Sequence, residues 1–150
     1  MAGNKEIVQR ITEEGYNQGI VSVLDECCAD GYVMHEGFGS ELSIEGEKKL
    51  IQTYRSAFPD LHVKIDDLVE EGNIVCCRWT TTGTQQSELF GIPPSGEKKP
   101  VTGLLMVKIE DGKVREAWQV FDTLGFVQEL RGEAGAERTM QEGGPEASPS

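Results

Sequence analysis

The chain has 150 residues and a formal charge of −12, enough length for one domain with a core and a pocket inside it. Its apolar content of 37% fits a folded soluble protein, while so acidic a surface repels phosphate backbones and anionic lipid. No nucleic acid and no membrane are therefore expected as partners, and a cytoplasmic location is expected because MAGNKEIVQR lacks an apolar signal core.

The first segment, NKEIVQRITEEGYNQG, places Ile7, Val8, Ile11 and Gly15 at helical spacing, with Asn4 as N-cap and Gly19 as the stop. VSVLDECCADGYVMHE reads as a short helix ended by Gly31, then an extended piece from Tyr32 to His35. A third helix is predicted over Glu45 to Ala57, with Leu50, Ile51, Tyr54 and Phe58 on its apolar side and Pro59 beyond its end.

From Leu61 the period changes to that of strands. LHVKIDDLVEEGN alternates and turns at Glu71-Gly72-Asn73, and IVCCRWTTTGT returns as a second strand. FGIPPSGEKK is a loop by its glycines and prolines. PVTGLLMVKIE and KVREAWQVFD form a hairpin across Asp111-Gly112. A short helix, TLGFVQELR, precedes an acidic Gly/Pro/Ser-rich tail over 132–150, which is expected to be disordered. The order implies a single α+β domain over 1–131, in which N-terminal helices close a cone-shaped, curved antiparallel sheet.

Four cysteines form two vicinal pairs, Cys27-Cys28 and Cys76-Cys77. Vicinal spacing is not that of a zinc or redox site, and two adjacent strand residues point to opposite faces. The cysteines read as reduced packing residues, and no metal is expected.

The residue that most needs an explanation is Asp122, an acid closing a strand. Strict alternation puts Val114, Glu116, Trp118, Val120 and Asp122 on one face and Arg115, Ala117, Gln119 and Phe121 on the other. Trp118 and Val120 favour the first face as the inner one, which would aim Asp122 into the cone. Arg78, with Ile74, Cys76, Thr80 and Thr82, would be its counter-ion. Asp122 before Thr-Leu-Gly also fits a helix N-cap. His35 can face either way and His62 reads as surface. Tyr16, Phe38, Tyr54, Phe58 and Met106 are candidate cavity wall or plain core.

Taken in order, Phe-Pro-Asp, acidic-Gly-x-x-Val, Arg-Trp, Gly-Thr, Gly-Ile-Pro-Pro-x-Gly, Asp-Gly-Lys and Trp-x-x-x-Asp resemble the SnoaL-like polyketide cyclases. The resemblance runs from Asn4 to Leu130 and implies the cone fold shared with nuclear transport factor two and ketosteroid isomerase. It also implies a cofactor-independent aldol-type ring closure of a polyketide ester, with Asp122 as acid/base, His35 and Arg78 approaching the pocket, and Trp118 beside the acid. A small apolar carbonyl compound is the partner it implies. Two other readings stand beside it: hydrolysis of an epoxide or lactone, and a non-catalytic binding or pairing module. Val75, Cys77, Trp79, Leu104 and Met106 give an apolar outer face, so a homodimer through the sheet is expected. A reversed register would exchange wall and interface residues.

Overall fold

The computed structural model describes residues 3–132; beyond Gly132 the tail expected to be disordered lies outside the described residues. Helix α1 (Asn4–Arg10) begins at Gly3, not Asn4, as N-cap, and widens into a π-helical turn over Ile11–Asn17. A short α2 (Val23–Cys27) leads straight into β1 (Cys28–His35), then β2 (Glu41–Leu42) and α3 (Ile44–Ala57). Strands β3 (His62–Glu71) and β4 (Ile74–Thr82) follow, then the small pair β5 (Thr84–Gln85) and β6 (Gly96–Glu97). The chain ends in β7 (Val101–Glu110), β8 (Lys113–Phe121) and α4 (Thr123–Leu130). No helix among the described residues is long and apolar enough to cross a membrane.

The main sheet has the order β2-β1-β8-β7-β4-β3. It is antiparallel except where β1 lies parallel to β8, pairing Met34 with Ala117 and His35 with Trp118. The fold is thus the expected α+β arrangement, a curved sheet with N-terminal helices against it. The core joins Ile7, Val8 and Ile51 from the helices to Val75, Cys77, Val107 and Ala117 from the strands.

Two bulges decide which side chains look inward. The pairing of β7 with β8 shifts between Lys108 and Ile109, leaving Arg115 as the extra residue on β8. Parity therefore flips, and Val114 and Ala117 are both buried on the inner side, followed by Gln119 and Phe121. Trp118 and Val120 go outward, the reverse of the alternation argument. A second shift between Ile65 and Asp67 makes Asp66 the extra residue on β3, so Val63, Ile65 and Leu68 pack on the core while Val69 is 61% exposed.

The inner rows across the sheet are consequently Cys77–Leu105–Gln119 and Trp79–Gly103–Phe121. Gly103 is required there, because a β-carbon would lie 2.3 Å from Trp79 Cζ2 and 2.7 Å from the Val120 carbonyl oxygen. Val75, Cys77 and Trp79, expected on the outer face, are buried on the inner one. Only Leu104 and Met106 of that set face out.

Candidate functional site

The curved sheet and the helices α1 and α3 enclose a cavity with mostly apolar walls, including Val8, Met34, Val63, Trp79, Leu105 and Val107. The space that the centre of a water-sized sphere can reach is about 140 Å³, against the roughly 10–15 Å³ that one buried water needs. A few polar groups interrupt the wall, which is the usual composition of a small-molecule site. Cys77 is among the lining residues, but burial pushes its thiol up to about 11, so it stays protonated and is a poor nucleophile.

The one carboxyl group among the lining residues is Glu47. It sits on α3, whose start is fixed by Ser43 accepting from the Gly46 amide at 3.1 Å. Helical spacing then sets Glu47, Ile51 and Tyr54 along one face toward the core. Glu47 is 2% exposed, and an ionised carboxylate there would be costly without partners. Tyr16 Oη lies 2.6 Å from Oε2, and Tyr32 Oη lies 2.6 Å from Oε1. Burial raises the Glu47 carboxyl above its ordinary range, and the two hydroxyls hold it back by stabilising the charged form. Burial likewise raises both tyrosines well above theirs. Tyr32 comes from β1 beside the inward Met34 and Tyr16 from the π-turn; both line the cavity, and Tyr16 is the less completely buried of the two.

Phe121, Phe126, Tyr54, Lys98 and Lys99 also line the cavity. Phe38 and Phe90 meet edge-on at 5.8 Å, and Phe38 packs on Phe121 at 5.5 Å while Phe90 packs on Tyr54 at 5.9 Å. Phe90 holds a positive φ of 52° and is half exposed. The loop that carries it is tied down by buried Gln85, whose amide donates to the carbonyls of Ser87 and Ile92.

The residues expected to carry chemistry are not in this cavity. Asp122 is exposed and caps α4, accepting from the Gly125 amide at 2.9 Å. Arg78 is exposed on the outer face and pairs with Asp67 at 2.7 Å, not with Asp122. His35 is also outward, its Nε2 2.6 Å from Glu116 Oε2 and its ring stacked on Trp118 at 5.5 Å. All three displacements follow from the inward set being Tyr32 and Met34 on β1, Cys77 and Trp79 on β4, and Gln119 and Phe121 on β8.

Among the expected wall residues, Tyr16, Tyr54 and Phe58 line the cavity. Trp118 and Met106 do not, because they share an outer row. Phe38 is 40% exposed and packs on Phe121. Sequence reasoning passed over Glu47 and Tyr32. The signal was present: Glu47 falls four and seven residues before Ile51 and Tyr54, an acid on the apolar stripe of its helix.

The model for the family described as SnoaL-like polyketide cyclase matches residues 6–130. A SnoaL-like protein from Jannaschia sp. CCS1, named as a candidate polyketide cyclase, superposes with a TM-score of 0.78 at 26% identity, covering 85% of this chain and 91% of its own. IdmH from Streptomyces antibioticus, also named as a candidate polyketide cyclase, gives 0.75 at 26% identity, with 86% and 99% covered. TsrD from Streptomyces laurentii gives 0.72 at 32% identity, with 86% and 98% covered. No curated protein sequence matches the chain.

Proposed function

Because the chain belongs to the SnoaL-like polyketide cyclase family, we propose that it takes a small, largely apolar carbonyl compound into the cone and closes a ring in it by acid/base chemistry. The observation that carries this reading is Glu47, a carboxyl on the cavity wall with no access to bulk solvent. A carboxyl whose pKa is lifted toward the working pH is suited both to accept and to return a proton.

An intramolecular aldol closure balances around one such group. Ionised Glu47 takes the proton from the carbon alpha to the ester. The resulting enolate attacks the acceptor carbonyl, and the new alkoxide receives the proton back. The apolar wall excludes water, which strengthens each polar contact inside and protects the enolate from quenching.

The test is turnover of an aromatic β-keto ester carrying an ortho acyl group as the acceptor carbonyl, read as an isomeric product of unchanged mass. Glu47→Gln is expected to lower kcat by about 100-fold or more, while Asp122→Asn keeps activity near that of the parent. Loss of turnover in Asp122→Asn with full activity in Glu47→Gln would overturn the assignment. A non-catalytic binding role is favoured by one feature, that both Glu47 oxygens already have hydroxyl partners. It predicts guest binding with no turnover in any variant.

We further propose that the partner of the outer sheet face is a second copy of this chain. Val69, Cys76, Met106, Trp118 and His35 fall in one row across five strands, with Leu104 and Val120 beside it. Val69, Leu104 and Val120 are each more than half exposed. An apolar band on an otherwise acidic surface suits self-association better than contact with a charged partner.

A further inference from the structure

We infer that Tyr16 is the residue that meets the guest, its hydroxyl donating to a carbonyl or enolate oxygen at the inner end of the cavity, with Glu47 setting the direction of that donation. The inference rests on the reading of the cavity as a guest site and adds the polar anchor within it.

Three observations lead there. Both tyrosines line the cavity and each holds one oxygen of Glu47 at 2.6 Å, but they are not equivalent: Tyr32 is 6% exposed whereas Tyr16 is less completely buried. Tyr16 is also the residue presented by the π-turn Ile11–Asn17, and such turns recur at functional sites because the extra residue re-aims a side chain. Gly15 beside it lets that turn lie close on α2, where a β-carbon would already be 3.1 Å from Val23 Cγ1.

The third observation is the arithmetic of protons. An ionised Glu47 can only accept, so both tyrosine hydrogens point at it. A neutral Glu47 donates from one oxygen, and the tyrosine that receives this hydrogen must aim its own elsewhere. For Tyr16 that direction is the cavity. When Glu47 takes the proton from the guest, Tyr16 therefore stops donating to Glu47, accepts from it, and turns its own hydrogen toward the guest oxygen as negative charge appears there. That is the property of a transition-state donor. The guest thus carries an enolisable carbonyl oxygen at its buried end and an apolar body.

The ionisable groups around this pair are Tyr32 and Cys28 at the base of β1 and Tyr54 on α3. Burial raises all three, so each stays neutral through the physiological range.

The experiment uses the intact protein and two probes of nearly one shape, 2-acetylnaphthalene and 2-isopropenylnaphthalene, with affinities from calorimetry. At the acid end of the range in which the protein stays folded, the ketone is expected to bind about tenfold tighter than the alkene, the span of one good hydrogen bond. Its carbonyl stretch should move to lower frequency on binding. Tyr16→Phe removes both effects and leaves alkene affinity unchanged, while Tyr32→Phe keeps the preference. Glu47→Gln retains the preference and abolishes its decline with rising pH, which comes from Glu47 ionising and reclaiming the hydrogen.

Equal binding of the two probes overturns the inference while leaving the guest cavity intact. Equal weakening of both by Tyr16→Phe does the same, since it marks a packing role. If neither probe binds at any pH, the cavity reading itself fails and the inference falls with it.

Discussion

The Tyr32 hydroxyl donates to Glu47 Oε1 at 2.6 Å, tying β1 to α3 across the closed end of the cone and holding a carboxyl away from water. Its folded pKa is raised, so the folded state holds this proton more tightly than the unfolded chain does. Below the unfolded value of about 4.3 both states are protonated, and the site is at its most favourable. As pH rises past that value the unfolded chain releases the proton first, and the folded state loses stability until Glu47 also ionises. Urea melts of the parent and Glu47→Gln from about pH 4 upward should show the parent losing stability relative to the variant as pH rises. A constant difference would mean that Glu47 titrates as an ordinary surface acid.

Asp122 makes a different prediction. As the N-cap of α4 it accepts from the Gly125 amide, so Asp122→Ala should lower stability by about 1 kcal/mol and Asp122→Asn by only a few tenths. A β-carbon on Gly125 would come 2.2 Å from Asp122 Oδ2, so Gly125→Ala should displace the cap and cost as much as losing it. Thermal melts with an unchanged near-ultraviolet spectrum would check both. A loss of several kcal/mol in Asp122→Asn would point instead to a buried role for this side chain.

Much of this fold was legible in the chain. The change of period after Pro59 separates helices from strands, and Asp111-Gly112 marks the hairpin that joins β7 to β8, with Asp111 at a positive φ of 52°. What alternation could not provide was the inner face of β8. Both of its faces carry aromatic and polar residues, and the extra residue Arg115 shifts parity in mid-strand. The deciding information is three-dimensional: Gly103 leaves room for Trp79, and Gly37 for Phe121. Glu47 escaped notice because an acid in the first turn of a helix usually serves its dipole from the solvent side. The parallel pairing of β1 with β8 has no local signature at all, since it joins segments about eighty residues apart.

Gly103 tests the register directly. Gly103→Ala forces its new methyl into the Trp79 indole and the Val120 carbonyl, with an expected cost of about 1–3 kcal/mol. The indole environment changes too, so Trp79 fluorescence in a Trp118→Phe background should shift along with stability. A neutral Gly103→Ala would place Trp79 elsewhere and undo the assignment of the inner rows.

The outer face predicts association. In Leu104→Lys and Val120→Lys, two exposed apolar positions receive charges that a self-paired face would have to bury. Sedimentation velocity should show a dimer for the parent and a monomer for the double variant, with helix and strand content unchanged. A monomeric parent would refute pairing through this face.

The account turns on the cone accepting an apolar guest whose oxygen ends beside Tyr16 and Glu47. A crystal structure of the protein with 2-acetylnaphthalene examines that most directly. The account predicts the ring system against Trp79 and Leu105 and the ketone oxygen within hydrogen-bonding distance of Tyr16 Oη. A probe lying on the outer sheet face, or a cone whose side chains fill its interior, would contradict it.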